Sequence, residues 1–265
     1  MWVLDLVAQA PAPPDFAELV RISALPRATL HRLVRAWIAL DMVALSPADR
    51  RYRPGVHLLT LARHTWERLD VRSVAAGPMR HLNAATSETV QLAVLSGDAI
   101  VWVDKLESVN PLRLHSAIGG RGPVHCTAVG KAMLAFLDPA AQRSLLARLD
   151  LVRHTAQTLT SRARLAAELA DVRASGTAFD REEHRDGIHC VASPVLDHQG
   201  RVVGAISVTA PVSRVDARAL RAFAPLVREA AAEAGRALGG GASLAPPPHA
   251  TVPRGRAARG TQSRT

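Results

Sequence analysis

Before residue 42 the apolar positions fall into three short helical groups. Trp2, Leu4, Leu6 and Val7 form the first, closed by Pro11-Ala12-Pro13-Pro14. Asp15 is placed to cap a second helix whose buried face is Phe16, Leu19 and Val20. A turn follows at Ser23-Ala24, and Pro26 suits the first turn of a third helix, PRATLHRLVRAWIALDM. Leu30, Leu33, Val34 and Trp37 share one face of that helix. Arg27, Thr29, His31, Arg32 and Arg35 take the remainder, weighted to its N-terminal half. Met42-Val43-Ala44-Leu45 and Arg51-Tyr52-Arg53 then read as short strands around the turn Ser46-Pro47-Ala48-Asp49-Arg50.

The pattern changes beyond residue 55. Leu58, Leu59, Leu61, Ala62, Trp66 and Leu69 recur at helical spacing up to about Ala76, where Gly77-Pro78 marks an end or a kink. Met79, Leu82 and Ala85 suggest a further helix ending near Thr86. Thr89–Leu95 and Ile100–Leu106 form a hairpin about Ser96-Gly97-Asp98, and alternation at Leu112 and Leu114 predicts a third strand. Helices follow at Thr127–Leu137, from Asp138-Pro139, and at Arg162–Ser175, closed by Gly176. Strands Ile188–Leu196 and Val202–Thr209 flank Asp197-His198-Gln199-Gly200, and a last helix spans about Asp216 to Leu238. Hairpin-joined strands with helices around them indicate an α+β fold, not a doubly wound parallel sheet.

Charge sharpens the reading of the N-terminal block. The chain of 265 residues carries a net charge of +10, unevenly placed. Residues 21–53 hold seven arginines against Asp41 and Asp49, whereas residues 54–240 balance 22 bases with 18 acids. An arginine-rich genome composition explains the choice of arginine but not its clustering, and a basic block suits a polyanion. Three helices and a turn-tipped hairpin have the layout of a winged helix-turn-helix, whose second helix enters the major groove of DNA. The competing reading is an amphipathic helix pair with a solvated basic face. On the DNA reading, Arg27 and Arg32 are each capable of bidentate contact with guanine, worth about 1–3 kcal/mol of discrimination. Arg51 and Arg53 would meet phosphate and add affinity without sequence information.

The run LVRISALPRATLHRLVRAWIALDMVALSPADRRYRPGVHLLTLA resembles the winged helix of IclR-type bacterial transcription regulators. The resemblance continues in order through ETVQLAVLSGDAIVWVDKLES, PLRLHSAIGGRGPVHCTAVGKAMLA and DREEHRDGIHCVASPVLDHQGRVVGAISVTAP, covering about residues 2–238. It implies a winged helix-turn-helix over 1–54, a linker helix over 55–76, and an effector-binding domain of GAF/PAS-like fold with an antiparallel sheet over 77–238. It also implies homodimers, paired in some cases into homotetramers on operator DNA. Against the family pattern, the chain opens directly on its first helix. The segment 239–265, with GGG, PPP, scattered arginines and little apolar periodicity, is expected to be a disordered basic tail.

Strand periodicity puts Ile188, Cys190 and Ala192 on one face, and Ala205, Ser207 and Thr209 on one face of the neighbouring strand. Apolar walls with a few hydroxyl or thiol groups suit a small metabolite. A helix beginning near Cys126 would aim the free N–H groups of Thr127 to Gly130 at that pocket, a favourable place for a carboxylate. The resemblance implies an effector pocket lined by Leu114, Ala128, Val129, Asp180, Ile188, Cys190, Ser207 and Thr209. Plain strand filling is the alternative for Ser207 and Thr209, and a surface loop acid the alternative for Asp180.

The two cysteines, each after a histidine (His125-Cys126 and His189-Cys190), invite a zinc, disulfide or nucleophile reading. Adjacent strand residues face opposite ways, so His189 and Cys190 do not readily share a metal, and the spacing is not that of a zinc motif; no metal site is expected. Sequence adjacency does not make a thiol–imidazole pair, and no phosphate loop or paired-carboxylate motif occurs, so neither an enzyme nor a cofactor is expected. No run of about 18 uncharged apolar residues exists, and the N-terminus lacks a basic signal-peptide region. Membrane contact is therefore not expected, and the cytoplasm is. The sequence thus points to a cytoplasmic transcription regulator, repressor or activator, controlled by a small organic effector, a carboxylate or aromatic acid. The rival is a redox- or metabolite-sensing module acting through Cys126 and Cys190 without specific DNA binding.

Overall fold

The computed structural model of the protein describes residues 2–61, 70–110 and 117–238. They divide into two compact units that meet between Asp70 and Val71. Leu114, the middle of the expected linker helix and the expected C-terminal tail lie outside the described residues.

In the N-terminal unit, α1 (Trp2–Gln9), α2 (Phe16–Ser23) and α3 (Arg27–Ala39) precede an antiparallel hairpin of β1 (Val43–Leu45) and β2 (Tyr52–Pro54). A reciprocal capping box starts α2: the Glu18 N–H donates to Asp15 Oδ1 and the Asp15 N–H to Glu18 Oε2, both at 2.9 Å. Ala24 ends α2 in the left-handed region, φ 50°. Pro26 is not inside α3, as its helix-start preference suggests, but is the extended residue just before it. Its φ of −53° suits either place; its ψ of 135° makes the turn. Leu30 and Val34 pack with Leu19, Val43, Tyr52 and the buried α1 residues Val3, Leu4 and Val7. Trp37 and Ile38 continue the α3 stripe, while Leu33 is only half-buried.

The C-terminal unit is built on a six-stranded antiparallel sheet, in the order β5-β4-β3-β8-β7-β6. The strands are β3 (Thr89–Ser96), β4 (Ala99–Leu106), β5 (Arg121–Pro123), β6 (Ala178–Arg181), β7 (Ile188–Leu196) and β8 (Val202–Pro211). The helices are α4 (Asp70–Thr86), α5 (Ala128–Phe136), α6 (Pro139–Arg148), α7 (Arg162–Ser175) and α8 (Ala217–Ala237). The helix does not end at Gly77-Pro78, since α4 runs on through it. An interior proline costs a helix about 3 kcal/mol, but Val71, Ala75, Met79 and Leu82 form one buried stripe across that point. Burial of the stripe offsets the lost hydrogen bond.

The two sheet faces are covered differently. Val90, Val208 and Val191 lie opposite one another on one face, and α8 packs along β7 and β8. There Gly235 lies so near β7 that a Cβ would sit 2.6 Å from the Leu196 carbonyl oxygen. α5 packs over the other face, buried from Ala128 to Ala135. Gly130 permits this, because a Cβ there would meet the Val124 carbonyl oxygen at 2.2 Å. Among the described residues, no helix is long and apolar enough to cross a membrane.

Candidate DNA-reading and effector sites

On α3, Arg27, His31, Arg32 and Arg35 are exposed and Thr29 is half-buried; Arg32 and Arg35 lie away from the Leu30 and Val34 stripe, while Arg27 sits at its N-terminal edge. Phe16 organises the start of this face. The Arg27 guanidinium stands over its ring at 5.2 Å, and the His31 imidazole meets it edge-on at 5.9 Å. The two wing arginines are already engaged. Arg51 turns inward, donating to the Pro13 carbonyl at 2.6 Å and to Glu18 Oε2 at 3.2 Å. Arg53 forms a two-pronged pair with Asp49, at 2.6 and 3.1 Å, and holds that carboxyl well below the usual carboxylate range. Arg50, a third wing arginine, is exposed at the hairpin tip with φ 57°.

In the C-terminal unit, β6, β7, β8 and β3 bring their side chains into cross-strand rows. Cys190 lies opposite both Asp180 and Thr209, and Ser207 lies opposite both Ala192 and Gln91. Opposed residues of antiparallel strands project to one face, so all of these side chains face α5. Between sheet and helix is a cavity of about 510 Å³. Ala128, Val129, Asp180, Ile188, Cys190, Ser207 and Thr209 all line it, joined by Gln91, Trp102, Thr127, His184 and the exposed Arg121 and Arg185. Thr127 caps α5: its hydroxyl accepts from the Gly130 N–H at 3.2 Å and donates to the Pro123 carbonyl at 2.7 Å. The Gly130 amide is therefore used internally, and the first-turn N–H groups left at the cavity wall are those of Ala128 and Val129.

Asp180 is almost fully buried, and burial, reinforced by nearby Glu183, pushes its carboxyl up to about 7. Its Oδ1 accepts from the Glu183 and His184 N–H groups at 2.8 and 3.3 Å, which shapes the loop after β6. Burial and Asp180 together also push the Cys190 thiol well up, and burial with Asp180 and Glu183 does the same to Cys126. Both cysteines are free. Reactive thiols need the opposite surroundings, electropositive and open. Cys126 is fully buried beside the cavity and does not line it.

The strand argument against a metal concerns His189 and Cys190. In β7, His189 points away from Cys190 and its Nδ1 meets the Val215 carbonyl at 3.0 Å. His125 and Cys126 instead lie in the turn between β5 and α5, where alternation does not apply. One donor atom each from His125, Cys126 and His154 lies within 4.8 Å of the others.

Lys131 is the largest side chain fully buried in the unit, and the pattern along the chain did not announce it as such. Its ammonium donates to Glu183 at 2.6 and 2.8 Å and to Glu168 at 3.1 Å. A lone lysine in AVGKAM was the available signal. Its partner lies 52 residues away, beyond any local pattern. Gln91 was legible in principle, because it alternates with Thr89 and Ala93 on the strand beside Ser207.

Two family models account for nearly all of the described chain. The bacterial transcriptional regulator IclR C-terminal model matches residues 63–236, and the IclR helix-turn-helix domain matches residues 1–46. The chain belongs to the IclR family. It is 33% identical over 239 residues to the HTH-type transcriptional regulator XynR of Escherichia coli (strain K12), covering 90% of this chain and 95% of XynR. It is 30% identical over 240 residues to the transcriptional repressor IclR of the same organism, covering 90% and 88%. Among solved structures, the Thermotoga maritima IclR superposes with TM-score 0.72 at 26% identity, covering 90% of this chain and 96% of that one. An IclR homolog from Microbacterium hydrocarbonoxydans complexed with 4-hydroxybenzoate superposes with TM-score 0.77 at 25% identity, covering 89% and 95%. This IclR-family protein is thus a DNA-binding transcription regulator with an N-terminal helix-turn-helix, and not an enzyme.

Proposed function

We propose that this regulator's binding to operator DNA is controlled by a small organic acid held in the cavity between α5 and the sheet. The single observation that carries the reading is that cavity's chemistry. A space of about 510 Å³ combines apolar walls, two first-turn amides of a nine-residue helix, and the hydroxyls of Ser207 and Thr209. Helix N-termini attract carboxylates through free donors and dipole, and Arg121 and Arg185 supply positive charge at the exposed side. Asp180, half-neutral near pH 7, does not repel an anion as an ordinary aspartate would. The 4-hydroxybenzoate bound by the Microbacterium homolog is an aromatic acid of fitting size. On DNA, Arg27, Thr29, His31, Arg32 and Arg35 face the bases and backbone of the major groove, and Arg51 and Arg53 reach phosphate only by exchanging their present partners. A dimer, or a pair of dimers, presents two such units to operator half-sites. The effector shifts the balance because it binds one arrangement better than the other.

The test begins with a thermal-shift series of small acids, 4-hydroxybenzoate first, on the full chain. An acid that raises the melting temperature is then added to an anisotropy titration of labelled DNA from upstream of the regulator's own gene. Ala128→Leu, which fills the cavity, is expected to abolish the acid's effect on DNA affinity while DNA binding itself survives. An unchanged response in Ala128→Leu and in Ser207→Ala puts the effector elsewhere. Sensing through thiol oxidation is the weaker reading, since both thiols are held protonated.

A further inference from the structure

At the edge of the cavity, which His184 also lines, three histidines and a cysteine converge from separate segments. His125 and Cys126 come from the turn before α5, His154 from the stretch between α6 and α7, and His184 from the loop after β6. The last two segments are stitched together: the Thr155 and Thr158 hydroxyls donate to the Glu182 and Glu183 carbonyls at 2.6 and 2.7 Å. The rings of His125 and His154 are 5.9 Å apart, and those of His154 and His184 are 5.5 Å apart. One donor atom each from His125, Cys126 and His154 falls within 4.8 Å of the others.

We propose that His125, Cys126 and His154 bind a transition-metal ion of the zinc type, with His184 beside the fourth position. Bonds of about 2.0–2.3 Å at tetrahedral angles separate such donors by about 3.5 Å, so the cluster closes by about an ångström. His154 is exposed and free to make that movement, whereas His125 and Cys126 are fixed in the interior. His125 has the backbone partner that fixes the tautomer of many metal-binding histidines. Its Nε2 meets the Val152 carbonyl at 3.0 Å. A carbonyl only accepts, so Nε2 carries the proton and Nδ1 keeps the lone pair. Two imidazoles and a thiol select zinc, cobalt or copper over magnesium or calcium. Cys126 binds as the thiolate, giving its proton to solvent as the metal enters.

Cobalt(II) reads the site directly, because a cobalt–thiolate bond produces a near-ultraviolet charge-transfer absorption and a tetrahedral site produces strong visible bands. Metal-free, reduced full-length protein is titrated with Co²⁺ and then with Zn²⁺. The expected result is one equivalent of Co²⁺ bound with both signatures, bleached by Zn²⁺. Cys126→Ser should lose the charge-transfer band and Cys190→Ser should keep it. His154→Ala, an exposed substitution that spares the core even if Cys126→Ser fails to fold, should weaken Co²⁺ binding at least about tenfold. No thiolate band in the wild type, a band lost in Cys190→Ser but kept in Cys126→Ser, or wild-type affinity in His154→Ala would each overturn the assignment.

Discussion

The two units handle charge in opposite ways. On α3 the arginines are exposed to water, where each costs little and their number sets the field. In the C-terminal unit, Lys131, Glu183 and Asp180 are buried, and each is tolerated only through its neighbours. A surface charge is therefore readable from residue type and spacing. A buried charge is a property of the fold, and its consequence is conditional stability.

Breaking the buried half of this contrast gives the largest effect. Lys131→Met leaves Glu183 buried without its cation and is expected to cost about 3–5 kcal/mol in urea unfolding. The double variant Lys131→Met/Glu183→Leu should recover most of that loss. A small cost for the single variant would mean that Glu183 reaches water.

Next in size is Asp180. Its carboxyl holds a proton up to about pH 7 in the folded chain and only to its ordinary 3.8 when unfolded. Between these values the native state binds more protons than the unfolded state, so stability falls as pH rises from about 4 to 7 and is flat above. The contribution is at most about 4 kcal/mol, at about 1.4 kcal/mol per pH unit. Asp180→Asn should remove this slope from a series of melts, and an unchanged slope assigns it to other groups. Binding of an anionic effector should likewise weaken as pH rises through about 7, which a calorimetric pH series would reveal.

The exposed half is weaker per residue. Arg27→Ala and Arg32→Ala are each expected to cost about 1–3 kcal/mol of operator discrimination, with nonspecific binding much less affected. Variants that bind operator like the wild type would remove α3 from base reading. The smallest effect belongs to the wing. Arg53→Ala should leave the urea midpoint within experimental scatter, because its partner Asp49 is exposed. If Arg53 exchanges Asp49 for phosphate on DNA, the salt slope of binding falls by about one; an unchanged slope leaves Arg53 with Asp49.

The same contrast explains what was legible in the chain. The capping residue Asp15, the stripe of Leu30 and Val34, and the basic weighting of α3 are local signals, and the helix-turn-helix follows from them. Alternation placed Cys190 beside Ser207 and Thr209, and all three line one cavity. Tertiary effects were not legible. α4 crosses Gly77-Pro78 because its buried stripe outweighs a local break signal. The loop carrying Glu183 and His184 depends on threonine hydroxyls some 25 and 27 residues earlier. Arg51 faces inward because Pro13 and Glu18 happen to meet it, 38 and 33 residues back. The expectation of no metal rested on strand alternation at His189 and Cys190 and on spacing unlike a zinc motif, and neither signal carries the approach of His154 to His125 and Cys126.

The most direct test of the central claim, that one unit reads DNA while the cavity of the other decides when, is a single anisotropy experiment. Labelled operator is titrated with wild type, Ala128→Leu and the Arg27→Ala/Arg32→Ala double variant, each with and without the acid that stabilises the wild type. Acid should change the operator affinity of the wild type only, Ala128→Leu should bind operator without responding, and the arginine variant should lose specific binding while acid still raises its melting temperature. Equal acid responses in wild type and Ala128→Leu, or unimpaired operator binding by the arginine variant, would contradict it.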